Sequence, residues 1–181
     1  MVRVWLVLKV PVILHSDMVS RMKVNISHGA GGKLMQELIA DLTGIIKLKK
    51  TEQGRGLDKL EDSAIIRFGN ENIALTTDSY TVNPIFFPGG DIGKLAICGT
   101  INDLAVMGSE PVALTLAYII EEGFPMTELK KITLSVSRIS KMLNVPIVTG
   151  DTKVVERGKI DKIVINTAGI GIVKRLVTNY G

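Results

Sequence analysis

Asp91 to Gly108, DIGKLAICGTINDLAVMG, limits what this chain can fold into more than any other stretch. Asp91 suits a helix N-cap and Gly108 a helix stop, so the segment reads as a helix. Leu95, Ile101, Leu104 and Ala105 recur at roughly helical spacing, while Asn102 and Asp103 fall on another part of the surface. An adjacent amide and carboxylate on an otherwise apolar helix are costly to bury without a partner. A metal ion or polar ligand is one such partner; a solvated face or a local hydrogen bond is the plain alternative. Cys98, among Ala96, Ile97 and Gly99, reads as a small packed thiol rather than a nucleophile.

Other polar clusters flank this helix. Ser27-His28-Gly29-Ala30-Gly31-Gly32-Lys33 precedes an amphipathic helix carrying Leu34, Met35, Leu38, Ile39 and Leu42. Glycines let backbone N–H groups approach an anion, a helix N-terminus attracts negative charge, and Lys33 adds a movable cation. The spacing is neither that of a Walker A loop nor GxGxxG, and a flexible arm is the alternative. His28 reads as a polar neighbour, and Ile45–Asp58 as a mobile basic loop. Residues 64–68 and 73–77 form a hairpin about the Gly69–Asn72 turn, with Glu61, Asp62 and Asp78 at its open end. Carboxylates held about one strand spacing apart repel unless a cation or proton intervenes, which fits an oxygen site of Mg²⁺ size. Surface acids with no shared role are the alternative.

Tyr80–Gly90, apolar with two prolines, is expected to pack against a second subunit or a ligand. Residues 111–122 read as a long strand. Thr127 then caps a helix whose Leu129, Ile132, Val136, Ile139 and Leu143 keep core spacing. Val145–Val148 reads as a short strand feeding a loop, Thr149-Gly150-Asp151-Thr152-Lys153, and residues 160–173 as the last strand. This order predicts an α+β fold, a mostly antiparallel sheet with helices on one face.

At 181 residues the chain can build one domain with a real core, with or without appendages. A net charge of +4 with no dense Lys/Arg run gives no indication of nucleic acid. One cysteine excludes an internal disulfide framework, fits a reducing, cytoplasmic setting, and with two histidines cannot build a structural zinc site. The apolar start is interrupted by Lys9 and Pro11, well short of the roughly 20 apolar residues of a membrane span. Residues 1–23 are set outside the domain, as an extra edge strand or an over-long start before Met18 or Met22.

Taken together, SHGAGGK, TTDSYTVNPIFFPGGDIGKLAICGTINDLAVMG and IVTGDTKVVERG…DKIVINTAGIG resemble the N-terminal domain of the HypE family of hydrogenase maturation factors. That family belongs to the superfamily of AIR synthetase, selenophosphate synthetase and thiamine monophosphate kinase. The resemblance covers residues 24–173 and implies an ATP-binding N-terminal domain over 24–181, whose sheets pair into a barrel in a homodimer. It implies ATP-dependent dehydration of a protein S-carbamoyl cysteine to a thiocyanate, for the cyanide ligands of nickel–iron hydrogenase. Asp62, Asp78 and Asp103 would hold Mg²⁺ and nucleotide. The loop with Gly29, Gly31, Gly32 and Lys33 would close over the phosphates, and Asn102, Gly150 and Asp151 would line the site. Lys153 would stand near the carbamoyl group as the catalytic cation. The implied partners are a carbamoyltransferase and an iron-scaffold maturation protein, with neither nucleic acid nor membrane. The family's second domain and terminal cysteine are absent before Gly181, and Cys98 cannot replace that sulfur. Another superfamily enzyme, such as a selenophosphate synthetase, is disfavoured because the glycine loop lacks a cysteine. A non-catalytic interaction module of hydrogenase maturation is the further alternative.

Overall fold

The computed structural model describes residues 23–177. The readings of the first 22 residues therefore lie outside the described residues. The chain divides into two compact units, one ending at Ile46 and the other beginning at Lys47. In the first, Asn25 and His28 cap a short 3-10 turn, Ile26–Gly29, each side chain bonding the other end of the turn. This gives His28 a structural role, as its sequence context implied. Helix α1, Lys33–Ile45, follows from Gly32, and no residue of it is buried.

The second unit is a five-stranded sheet with two helices. Its strands are β1 (Ala64–Phe68), β2 (Glu71–Tyr80), β5 (Ser109–Glu121), β6 (Ile147–Val155) and β7 (Ile163–Val173), in the spatial order β1-β2-β7-β5-β6. A two-residue ladder, β3 (Phe86–Phe87) with β4 (Gly90–Asp91), leads into helix α2 (Ile92–Val106). Helix α3, Met126–Leu143, connects β5 to β6. Only the β5–β6 ladder is parallel, so the sheet is mostly antiparallel, as predicted. Among the described residues no helix is long and apolar enough to cross a membrane.

Helix α2 begins as expected: the Asp91 carboxylate accepts from Lys94 N at 2.9 Å. It ends before Gly108, which holds φ +71°. It buries Ile92, Gly93, Ala96, Ile97, Thr100 and Leu104 by packing on both the sheet and α3. A helix with neighbours on two sides has no simple apolar stripe, which is why its spacing looked rough in the sequence. Ile92, Ala96, Ile132, Ile163 and Ile165 centre the largest core cluster. The Tyr80–Gly90 segment finds its packing partner here, through Ile85, Tyr80 and Val82, rather than needing a second subunit or a ligand to cover it.

Three sequence expectations are corrected. Helix α3 starts from Pro125, whose carbonyl accepts from Glu128 N and Leu129 N, so Thr127 lies inside the first turn and caps nothing. The Thr149–Lys153 segment is strand, not loop, because it ladders in parallel with β5 from Thr115↔Thr149 to Glu121↔Val155. Gly150 serves that approach: a Cβ there would lie 2.1 Å from the Leu116 carbonyl oxygen. The basic loop is tied to β1 by two backbone bonds of 2.8 Å between Arg55 and Ile65.

The crossing of α2 and α3 is tight. A Cβ on Gly93 would lie 2.8 Å from Ile132 O, while the buried Ser135 hydroxyl has no partner among the described residues. Gly93→Ala should cost about 1–3 kcal/mol through overpacking. Ser135→Ala should be neutral or stabilise by up to about 1 kcal/mol. Urea unfolding midpoints measure both.

Candidate functional site

Strand β2 outruns β1, whose pairing stops at Ala64↔Leu75, so Asp78 has one strand neighbour, with Thr167 of β7 as its cross-strand partner. Successive strand residues alternate faces, which puts Asp78 and Thr167 on the side that α2 covers. Thr100 of α2 bonds Thr167 there, and both threonines are fully buried. Thr100 Oγ1 donates to Asp78 Oδ2 at 3.2 Å, and Tyr80 OH donates to the same oxygen at 2.9 Å. A carboxylate only accepts, which fixes the direction of the chain: Thr167 donates to Thr100, and Thr100 to Asp78. Gly99 clears the path of the Tyr80 ring, since a Cβ there would fall 2.2 Å from the phenol oxygen.

Asp103, one helical turn further along α2, faces the same place. Thr76 Oγ1 lies 3.3 Å from Asp103 Oδ2 and donates to Asp62 O at 2.9 Å. Ser63 Oγ donates to Asp103 O at 2.9 Å, so the β1 entry is pinned to the helix end. Burial first, then the Asp78 carboxylate and more weakly Asp62, push Asp103 up to about 6. Burial first, then the Asp78 and Asp103 carboxylates, push Tyr80 up to about 12, which keeps its phenol a donor at neutral pH. Glu61 is not free to join them, because Arg55 holds both of its carboxylate oxygens.

Among the described residues no three Asp, Glu, His or Cys side chains stand at metal-ligating spacing. The donor set nevertheless suits Mg²⁺, which keeps several waters and takes one or two carboxylates together with substrate phosphates. Two hydroxyls occupy Asp78 Oδ2, and a cation beside the Asp78–Asp103 pair would offset the repulsion that lifts Asp103.

Asp62, also predicted for the site, bears on this pair as a weaker charge on Asp103. Asn102 is exposed on α2, and Asp62 is exposed at the start of β1. Gly29, Gly31, Gly32 and Lys33 belong to the first unit and are exposed. A Cβ at Gly29 or Gly32 would meet nothing within 4 Å, so packing does not demand glycine there. Gly150 shares the row Asp78–Thr167–Leu116–Gly150, three strand spacings or about 14 Å from Asp78. Asp151 and Lys153 pair with Ala117 and Ile119 and lie on the opposite, open face of the sheet. Ser63, Thr76, Tyr80, Thr100 and Thr167 escaped sequence reasoning as site residues. Thr100 and Thr167 interrupt apolar runs, and that interruption was their signal.

This is a domain of a recognisable class: an α+β fold that presents paired carboxylates where a helix meets a mostly antiparallel sheet. Residues 60–173 match the family described as AIR synthase related protein, N-terminal domain, and the chain belongs to that family. It is 54% identical over 155 residues to a Methanocaldococcus jannaschii protein provisionally named for hydrogenase expression and formation, covering 85% of this chain and 46% of that one. It is 44% identical over 155 residues to the carbamoyl dehydratase HypE of Escherichia coli, covering 83% and 45%. The chain thus spans less than half the length of these relatives. A crystal structure of a HypE–HypF complex aligns with a TM-score of 0.66 at 51% identity, over 80% of this chain and 43% of that chain. One of HypE in complex with ATP aligns at 0.57 and 42% identity, over 83% and 43%.

The raised Asp103 value carries a pH prediction. Between the ordinary 3.8 and about 6 the folded chain binds a proton that the unfolded chain releases, so stability falls as pH rises through that window. The cost is complete above pH 6. Asp103→Asn should therefore stabilise the ligand-free protein at pH 7.5, on the order of 1 kcal/mol after solvent screening at a half-buried site. The gain should vanish at pH 4. Thermal melts of both proteins at the two pH values check it.

Proposed function

We propose that this chain is the ATP- and Mg²⁺-binding, dimerising half of a carbamoyl dehydratase that serves nickel–iron hydrogenase maturation. The observation that carries the reading is the Asp78–Asp103 pair, held by buried hydroxyls in a domain 42% identical to a HypE crystallised with ATP. Mg²⁺, when bound, neutralises the charge that develops on the phosphates. Asp78 and Asp103 would hold it, with Asp62 as a further carboxylate, and the exposed loop of Gly29, Gly31, Gly32 and Lys33 would offer N–H groups and a cation to the phosphates. The overall change converts a cysteine S-carbamoyl group to a thiocyanate; the carbamoyl oxygen leaves on phosphate as ATP becomes ADP. Lys153 stabilises the developing negative charge on that oxygen. The cysteine, the carbamoyltransferase that loads it and the iron scaffold that receives the cyanide belong to the complete cytoplasmic system.

A homodimer follows from the same logic. The open sheet face carries two aligned apolar rows, Ile66–Ile73–Ile172 and Ala64–Leu75–Ile170–Ala113, flanked by Phe68 at 76% exposure. Beyond them, past the row Thr77–Ala168–Thr115–Thr149, runs the more polar row Ser79–Asn166–Ala117–Asp151. Pairing this face with that of a second copy, barrel-fashion, removes the apolar rows from water. It would also put Asp151 and Lys153 at the interface, where they would meet a nucleotide held at its rim by the other copy's carboxylates.

Calorimetric titration of Mg-ATP tests the reading. The chain should bind it, and Asp78→Asn should weaken binding at least about tenfold without unfolding the protein. Ile170→Glu should shift the chain to monomer in sedimentation and weaken nucleotide binding with it. A well-folded dimer that binds no Mg-ATP would contradict the assignment.

A further inference from the structure

Helix α3 has a second surface that the nucleotide site does not use. Ile132, Ser135, Val136 and Ile139 face the core, which fixes the helix's rotation. Along its outside, Met126, Lys130, Leu134, Arg138 and Met142 follow one another at intervals of four, forming a single ridge about 24 Å long. The three apolar members are exposed by 63%, 71% and 68%. Among the described residues, Lys130 and Arg138 enter no ion pair, nor do the neighbouring Lys131 and Lys141. Glu128, in the first turn, is the only acid on the helix. Thr133 and Ser137 border the ridge with short side chains, so it stands proud of a shallow groove.

We propose that this ridge docks an acidic α-helix of a partner protein. The partner's carboxylates would face Lys130 and Arg138, and its apolar or small side chains would surround Leu134. The alternation is what selects the occupant. A ridge seated in the groove of another helix buries its apolar members while leaving cations at the rim, where opposite charge steers encounter and sets register. A second copy of this chain would bring cation against cation. A membrane would need a continuous apolar face, and the one this helix has is buried in the core. Nucleic acid would meet four cations and no aromatic side chain on the helix. A permanent intramolecular cover would be more apolar than a ridge carrying unpaired charge at every second position.

The test replaces Leu134 by the photo-crosslinking residue p-benzoylphenylalanine in the full chain, expressed in its native host, and maps the adduct by mass spectrometry. The expected adduct joins a different protein, on a helix carrying at least two carboxylates one turn apart. It should fall at least tenfold in the Lys130→Glu/Arg138→Glu variant and return when the mapped carboxylates are changed to lysine. Both substituted positions are exposed, so circular dichroism should show an unchanged fold. Adducts confined to this polypeptide, to nucleic acid or to lipid would overturn the proposal. So would the absence of an adduct, or one indifferent to charge reversal.

Discussion

Everything at the candidate site depends on the seat of α2 on the sheet, through the bond between Thr100 and Thr167. That contact aligns one hydroxyl on the Asp78 carboxylate and sets Asp103, one turn on, beside it. Apolar packing supplies the energy, with Ile92, Ala96, Ile97 and Leu104 buried around the contact. The hydroxyls supply direction. Without them, two carboxylates driven together by packing would carry a repulsion with no defined geometry. With them, Asp78 is the anchored acceptor, and Asp103 is the group whose charge responds to its surroundings.

A second constraint comes from the alternation of strand residues. Asp78 lies on the helix-covered face and Asp151 and Lys153 on the open one, so no rotamer change within a chain brings them to one ligand. The open face also carries the apolar rows that a lone sheet would have to expose to water. The proposed dimer would cover those rows and bring Asp151 and Lys153 to the interface, which would tie the chemistry of the site to association.

Much of this was legible in the sequence, where period and punctuation carried information. Asp91 and Gly108 bracketed α2, the 64–68 hairpin arm was placed to the residue, and TTDSY flagged Asp78. What escaped depended on contacts distant in the chain. Thr149–Lys153 looked like a loop because glycine and polar residues dominate it; only pairing with β5 makes it a strand. Thr127 looked like a cap because its side chain suits the role, but the preceding proline carbonyl already met the first amides. Tyr80 and Thr100 have no local signature as ligands of Asp78, since their positions follow from where β2 and α2 cross.

The proposal that most needs testing is that Asp78 and Asp103 of one copy and Asp151 and Lys153 of another act on one nucleotide. Chains carrying Asp78→Asn and Asp151→Asn can be prepared separately, shown not to bind Mg-ATP, then mixed and allowed to exchange subunits. Sites shared between copies predict that the mixture recovers about a quarter of the wild-type binding capacity, because each mixed dimer holds one intact site. If the mixture binds no more than either variant alone while subunit exchange is complete, the two sets of residues do not meet across an interface, and the shared-site account is wrong.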